Sequence, residues 1–477
     1  MDSNLKPYEE YKETEYDWLG SVPRHWKEQT VRSITKLSSE RNGNRDDLEL
    51  LSVYREYGVI RKSSRDDNHN VESQDLSNYK FVDSGYLVLN KMKMWQGSLG
   101  VSRHRGIVSP AYIVCKLIGD LNHEYIHYLM RSAKFKTIYN RISYGVRVGQ
   151  WDMRYDDFKN IKIFLPPIAE QNQIVKYLDY QLAKINKFIQ AKKKLIAVLK
   201  EQKQAIVNDA VTKGIAQNVK MKPSGIELLE EIPEHWEKVL CKRLLTTLTD
   251  YTANGSFGDL AKNVSYLDSG YARIVRLTDL RTNLSNKGVY VSEHAYNYLR
   301  KSALFGGEFL IANVGAYSGY ACIMPNVEYP ATLAPNMMMA KFRQERVVTN
   351  FIVELFNSLY VQTQLKIKAN NTAAQPKINK DDFKQVILAI PSIEEQEQIL
   401  DYISEKTMML DNSILTTEKE IELINEYRIR LVSDVVTGKI DIRHIEIDIQ
   451  ENGLNVEDIE EDTVELEEVL EGEECEV

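Results

Sequence analysis

Between residues 178 and 210, apolar side chains recur in alternating steps of four and three. Leu178, Leu182, Ile185, Ile189, Ile196, Leu199, Ile206 and Ala210 fill eight of the ten positions, with Lys192 and Lys203 at the other two. The spacing returns 225 residues later at Ile403, Leu410, Ile414, Ile421, Ile424, Leu431 and Val435, interrupted by Thr407, Thr417 and Arg428. Each is a heptad seam without a Pro or Gly inside, and each predicts a long helix. Pro166, Pro167 and Pro391 stop helical structure upstream, and Gly214 and Gly438 stand where C-terminal caps are wanted. At about 1.5 Å per residue, about 43 residues would make a rod of roughly 65 Å. Neither stripe can be buried by its own helix, so the two are expected to zip together antiparallel.

The helices belong to a chain written twice. Val22-Pro23-Arg24-His25-Trp26 recurs 210 residues on as Ile232-Pro233-Glu234-His235-Trp236. Leu165-Pro166-Pro167-Ile168-Ala169-Glu170-Gln171 recurs 225 residues on as Ile390-Pro391-Ser392-Ile393-Glu394-Glu395-Gln396, and Asp209-Ala210-Val211-Thr212 as Asp434-Val435-Val436-Thr437. Ahead of these anchors the halves differ by 15 residues and keep only an echo. Gly85-Tyr86-Leu87-Val88-Leu89 with Gly97, and Gly307-Glu308-Phe309-Leu310-Ile311 with Gly319, each read as a buried strand and a Gly-containing turn. The expected fold class is α+β: two mixed α/β globules joined by two long helices forming an antiparallel coiled-coil pair, in a pseudo-two-fold internal repeat. The expected segments are 1–26, completing the repeat; 27–158, the first globule; 159–235, the first helix and linker; 236–383, the second globule; 384–445, the second helix; and 446–477, a tail.

Charge sharpens this division. The chain is −8 as a whole, yet from Glu446 onward there are 15 acidic residues and no Lys, Arg or His. Residues 1–445 are therefore +7, with 21 basic and 14 acidic residues in 27–155 and 17 basic and 10 acidic in 237–380. Two basic globules suit phosphate binding, because neutralised phosphates release condensed counterions. The tail's composition predicts disorder. Cys115, Cys241, Cys322 and Cys475 lie far apart with no CxxC, so neither a disulfide framework nor a zinc knuckle is expected. No stretch approaches the ~18 apolar residues of a membrane span, and the start lacks a signal-peptide pattern. A cytoplasmic setting is expected.

The signatures of chemistry are absent. No GxxxxGK[ST] loop is present, which argues against a P-loop ATPase. Leu165-Pro166-Pro167-Ile168 lacks the polar and aromatic flanks that a methyltransferase places around two prolines at its target base. Asp157-Phe158-Lys159 and Asp382-Phe383-Lys384 mimic part of a nuclease site, but no Pro-Asp dipeptide supplies the partner acid. Their duplication at the globule–helix junction points to structure. His25 and His235 belong to the repeated Pro-x-His-Trp, where the Trp offers large apolar burial and fastens the start of each globule.

The ordered, duplicated set of motifs resembles the specificity subunits of type I restriction–modification enzymes. The residues that carry the likeness are Trp18-Leu19-Gly20-Ser21-Val22-Pro23-Arg24-His25-Trp26, the two Leu/Ile-Pro and Glu-Gln motifs above, Ile232-Pro233-Glu234-His235-Trp236, and the closing Val436-Thr437-Gly438-Lys439-Ile440-Asp441. Asn90-Lys91-Met92-Lys93-Met94-Trp95-Gln96-Gly97 adds a pattern similar to one target-recognition-domain variant. The resemblance covers residues ~8–445; the acidic tail departs from it. It implies that 27–158 and 236–383 are target recognition domains, each reading half of a bipartite double-stranded DNA site. It implies that the helices set the unread spacer and dock two methyltransferase subunits, which restriction subunits join. The chain would then be non-catalytic and hold no cofactor or metal. S-adenosylmethionine, ATP and Mg would sit on the partners.

Base edges are read mostly by Arg, Lys, Asn and Gln. The candidates in the first globule are Lys91, Lys93, Arg103, Arg105, Arg147 and Gln150, the last two in the Gly-hinged stretch 143–150. In the second they are Arg273, Arg276, Arg281, Lys366, Lys368, Gln375 and Lys377. Gln150 and Gln375 align at the offset of 225. Two other readings stay open at this point: the specificity chain of a type II-like system of the same architecture, and a coiled-coil scaffold whose globules bind proteins.

Overall fold

The computed structural model describes residues 5–55, 57–64, 73, 75–145, 151–369 and 376–447. Of the expected segments, nearly all of the acidic tail lies outside these residues. The chain forms two compact units, and they do not coincide with the two sequence repeats. One comprises Met1–Lys194 with Thr417–Val477, the other Leu195–Thr416. Both boundaries fall inside long helices. The first helix runs Ile168–Lys213 and the second Ile393–Val436, so each unit owns part of both.

The seam explains why the helices pair. No seam position in either is exposed, and Leu178, Leu182, Ile185, Ile189, Ile403, Ile414, Ile421, Leu431 and Val435 are buried. Within the first unit the Lys192 ammonium meets the Glu420 carboxylate at 2.7 Å. Toward the start of the first helix in the same unit, Gly438 packs on Trp26, whose indole is bound to Glu170. Within the second unit Lys203 meets Asp411 at 2.6 Å, while Gly214 lies beside Glu395 and Trp236. In both units the partner number falls as the helix number rises, so the segments run antiparallel. Lys203 is thus a rim residue that ties register. Gly438, at φ 76°, closes its helix in the left-handed region, and a Cβ there would strike the Pro23 ring.

Both units contain the same four-stranded antiparallel sheet. In the first it comprises β1 (Thr35–Leu37), β2 (Tyr86–Leu89), β3 (Leu99–Val101) and β4 (Ile113–Leu117), in the order β1-β4-β2-β3. In the second, β5 (Leu245–Asp250), β6 (Phe309–Ala312), β7 (Ala321–Ile323) and β8 (Met337–Phe342) take the matching order β5-β8-β6-β7. A helix pair follows each: α1 (His123–Arg131) with α2 (Ala133–Ile142) in the first unit. In the second, α3 (Leu277–Arg281) precedes β6, and the pair is α4 (Thr349–Phe356) with α5 (Leu359–Lys368). The aromatic core agrees with this: Phe309 packs on Phe342, Phe356 and Phe383 at centroid distances of 5.3, 5.1 and 5.9 Å.

The halves differ beside that common sheet. The first unit adds two-stranded pairs, Leu51–Tyr54 with Gly58–Arg61 and Lys80–Val82 with Gly106–Val108. The second adds a four-stranded mixed sheet in which Ala272–Val275 runs parallel to Ala331–Leu333. The length difference and the loss of likeness ahead of the anchors fall in these additions.

The repeated motifs form the joint between globule and helix. Trp26 Nε1 donates to Glu170 Oε1 at 3.0 Å, and His25 Nε2 lies 2.7 Å from the other oxygen. A carboxylate can only accept here, so the proton is on Nε2. Trp236 and His235 bind Glu395 in the same way at 3.0 and 2.8 Å. The adjacent glutamine ties the helix pair. Gln171 Nε2 donates to the Pro166 carbonyl at 2.9 Å while its Oε1 accepts from Asn122 N ahead of α1. Gln396 repeats this with the Pro391 carbonyl and Val348 N ahead of α4. Phe158 and Phe383, from the Asp-Phe-Lys triplets, are fully buried. The triplets are structural.

Candidate nucleic-acid interface

In both units the loop that joins an inner strand to the edge strand beside it crosses a second loop. In the first unit, residues 90–98 join β2 to β3. Asn90 N donates to Ser98 O, the turn Met94–Gln96 is anchored by fully buried Met94, and Gly97 closes it at φ 94°. Met153 N donates to Lys91 O at 3.0 Å, and the Lys91 ammonium lies 3.3 Å from Asp152. Trp95 meets Trp151 edge-on at 5.2 Å. Tyr144 and Asp152 exchange both backbone hydrogen bonds and so close the base of the second loop. Lys93 is exposed at this crossing, as is Met92 at 60%. Arg147 and Gln150 lie outside the described residues.

In the second unit, residues 313–320 join β6 to β7. Ile378 N donates to Asn313 O at 2.9 Å, Gly315 N to Pro376 O at 3.3 Å, and Val314 bridges Lys377. Met153 and Ile378 stand at the repeat's offset of 225, so the same backbone crossing is made twice with different side chains. Tyr317 and Tyr320 are exposed in the loop, and Lys377 is exposed on its crossing partner. The Arg281 guanidinium lies 4.9 Å from the centre of the Tyr317 ring. Lys366 and Lys368 are exposed in the last turn of α5. Gln375 lies outside the described residues.

Four of the candidates belong elsewhere. Arg103 and Arg105 follow β3 at the end remote from the loop 90–98. Arg103 is held by Glu124 through two hydrogen bonds of 2.9 and 2.8 Å, and Arg105 lies 5.7 Å over the Phe81 ring. Arg273 is corrected outright, since it is 4% exposed and bound to Leu284 O, Asp279 and Asn286. It lies in Ala272–Val275, a strand buried along its whole length, where a charge survives only if paired. Arg276 is half-buried and turns to the same Asp279 at 3.1 and 3.0 Å. Burial raises the Asp279 carboxyl, but hydrogen bonds from Arg276 and Asn286 outweigh it and hold the group below its ordinary range. Trp151, Asp152, Tyr317 and Tyr320 at the crossings are unmarked by the sequence. The one hint of Tyr317 is its place between Gly315 and Gly319.

Among the described residues no helix is long and apolar enough to cross a membrane, and no group of three or more His, Cys, Asp or Glu is placed to hold a metal. The type I restriction modification DNA specificity domain matches residues 23–198 and 259–426. The chain is 26% identical over 371 residues to the type I restriction enzyme MjaVIII specificity subunit of Methanocaldococcus jannaschii, covering 74% of this chain and 79% of that protein. It is 20% identical over 284 residues to the EcoBI specificity subunit of Escherichia coli, covering 58% of each. A solved structure, described as the basis of complex assembly and conformational transition of the type I R-M system, shares 12% identity. Its TM-score is 0.58, over 88% of this chain and 99% of that one, a likeness of fold.

Proposed function

Because this chain belongs to the type I restriction–modification DNA specificity family, we propose that it chooses the DNA site for a methyltransferase complex and carries no catalysis itself. The two globules are target recognition domains, each reading one half of a bipartite double-stranded site. The paired helices set the unread spacer and dock two methyltransferase subunits, which restriction subunits join. On this reading S-adenosylmethionine, ATP and Mg belong to those partners, and the complex works in the cytoplasm. The DNA-facing groups are the cations at the loop crossings and the helix end beside one of them: half-buried Lys91 and exposed Lys93 in the first domain, exposed Arg281, Lys366, Lys368 and Lys377 in the second. Arg147, Gln150 and Gln375 remain candidates by residue type and position in the sequence.

The observation that carries this reading is the duplicated crossing. One backbone frame occurs in both units with unrelated exposed side chains, as expected of two readers with different targets. A protein-binding scaffold gives no reason for that combination, nor for the excess of basic residues in both globules. The test is to co-express the chain with a methyltransferase subunit and map methylated adenines across the host genome. A split motif with a fixed gap is expected. A continuous motif, or methyl transfer by the isolated chain, would count against the proposal.

A further inference from the structure

The second unit presents one cation in surroundings suited to reading a base. Arg281 is exposed at the last position of α3 and is carried to the loop crossing by an element that belongs to neither loop. Its guanidinium lies 4.9 Å from the centre of the Tyr317 ring, and that ring is 44% exposed. Tyr317 is placed by the turn it occupies, with Ser318 N donating to Gly315 O and Tyr320 N to Tyr317 O, both at 3.0 Å.

A five-residue helix cannot hold itself in place, since forming one turn fixes several residues for few hydrogen bonds. Here a buried hub does so. Asp279 has no exposed surface, and it accepts from the Arg276 backbone at 2.8 Å and side chain at 3.1 and 3.0 Å. It also accepts from Asn286 Nδ2 at 2.9 Å and Arg273 at 3.3 Å. Arg273 reaches onward to Leu284 O at 2.7 Å and Asn286 Oδ1 at 2.6 Å, pinning the loop that leaves the helix. Arg273 and Arg276 are therefore positioning residues for Arg281.

We propose that Arg281, backed by Tyr317, is the base-reading group of the second recognition domain, and that it takes a guanine in the major groove. This rests on the function proposed above. The rigid planar fork of a guanidinium matches the O6 and N7 acceptors of guanine, which a flexible lysine ammonium meets with less geometric definition. A tyrosine ring under the guanidinium restricts the motion of an otherwise long and flexible side chain. Anchoring the helix on a buried hub lowers the cost of ordering the side chain at binding. The described residues of the first crossing carry Lys91 paired with Asp152, exposed Lys93 and exposed Met92. The two domains thus read their half-sites with different chemistry on one frame.

The test uses the complete complex with its methyltransferase subunits, and duplex oligonucleotides carrying the mapped site. The half-site in question is the one that changes when residues 236–383 are exchanged. Replacing its guanines one at a time by 7-deazaguanine removes the N7 acceptor and preserves base pairing. One such replacement should weaken binding of the wild-type complex about tenfold to a hundredfold. It should cost the Arg281→Ala complex nothing further, because the partner group is already gone. Arg281→Lys, which keeps the charge and loses the planar fork, should show a smaller deazaguanine penalty than wild type. Tyr317→Ala should relax discrimination at the same position, and Tyr317→Phe should not. Copurification with the methyltransferase and intact reading of the other half-site confirm that each variant is folded. A half-site without guanine, or equal deazaguanine penalties for wild-type and Arg281→Ala complexes, overturns the assignment. A wild-type complex that yields no split motif sinks the specificity reading as well; a split motif indifferent to Arg281 sinks this assignment alone.

Discussion

Glu170 and Glu395 occupy the same place in the two repeats but carry different loads. Glu170 accepts from Trp26, His25 and the Tyr8 hydroxyl at 2.7 Å, and its side chain is 6% exposed. Glu395 accepts from Trp236 and His235, and its side chain is 19% exposed. Truncating a buried acceptor leaves its donors unsatisfied at about 1–3 kcal/mol each. Glu170→Ala should therefore cost about 3–5 kcal/mol in denaturant unfolding, and Glu395→Ala about half as much; equal losses would contradict the asymmetry. The paired Trp and His were legible in the sequence as a repeat. Their acceptor was not, because a partner 144 residues away leaves no local mark. Asp279 shows the opposite limit. Its carboxyl titrates below its unfolded value, so its contribution is fully present above that value, near ~4, and is lost as pH falls through the folded pKa. The stability advantage of wild type over Asp279→Asn should accordingly grow as pH rises from about 3 to about 5 and level off above. Arg273, read from sequence as a DNA contact, spends its charge on this carboxylate. A strand buried on both faces gives no alternation from which its burial could be foreseen.

The long helices were the most legible elements, since a seam repeated in sevens names both the helix and the face it buries. What the period leaves open is which segments meet. Lys192 with Glu420 and Lys203 with Asp411 supply that register. Inserting one heptad between the two lysines of the first helix and one between the two acids of the second preserves both pairs. The mapped spacer should then lengthen by about three base pairs, from ~1.5 Å per helical residue and ~3.4 Å per base pair, with both half-sites unchanged. A single heptad in one helix alone should instead break one pair and lower stability. The common sheet was far less legible. Strands of three to six residues, most of them buried, give neither a period nor an end signal, so only Gly85–Leu89 and Gly307–Ile311 showed through as an echo. Of the crossings, the sequence marked several cations but could not show that backbone bonds bring two distant loops together.

For the molecule as a whole, duplication and charge distribution were legible, and the way the copies are shared between compact units was not. Lys27–Thr30 pairs with Lys162–Leu165 beside the helix start, so an exchange of residues 31–159 for those of a relative keeps this joint intact. Such an exchange should alter one half of the methylated motif and leave the other half and the spacer alone; changes in both halves would argue against two independent readers. The division into units also bears on synthesis. Leu195–Thr416 is one continuous stretch, whereas the other unit needs Thr417 onward to complete what Met1–Lys194 begins. Trp26, Tyr125 and the start of the first helix are made before Leu195–Thr416, but Val436, whose carbonyl accepts from the Tyr125 hydroxyl, and Gly438, which packs on Trp26, are made after it. As the chain leaves the ribosome, the unit that starts second can close first. The unit that starts first must wait, apolar surface open, until the chain beyond Thr416 has been made.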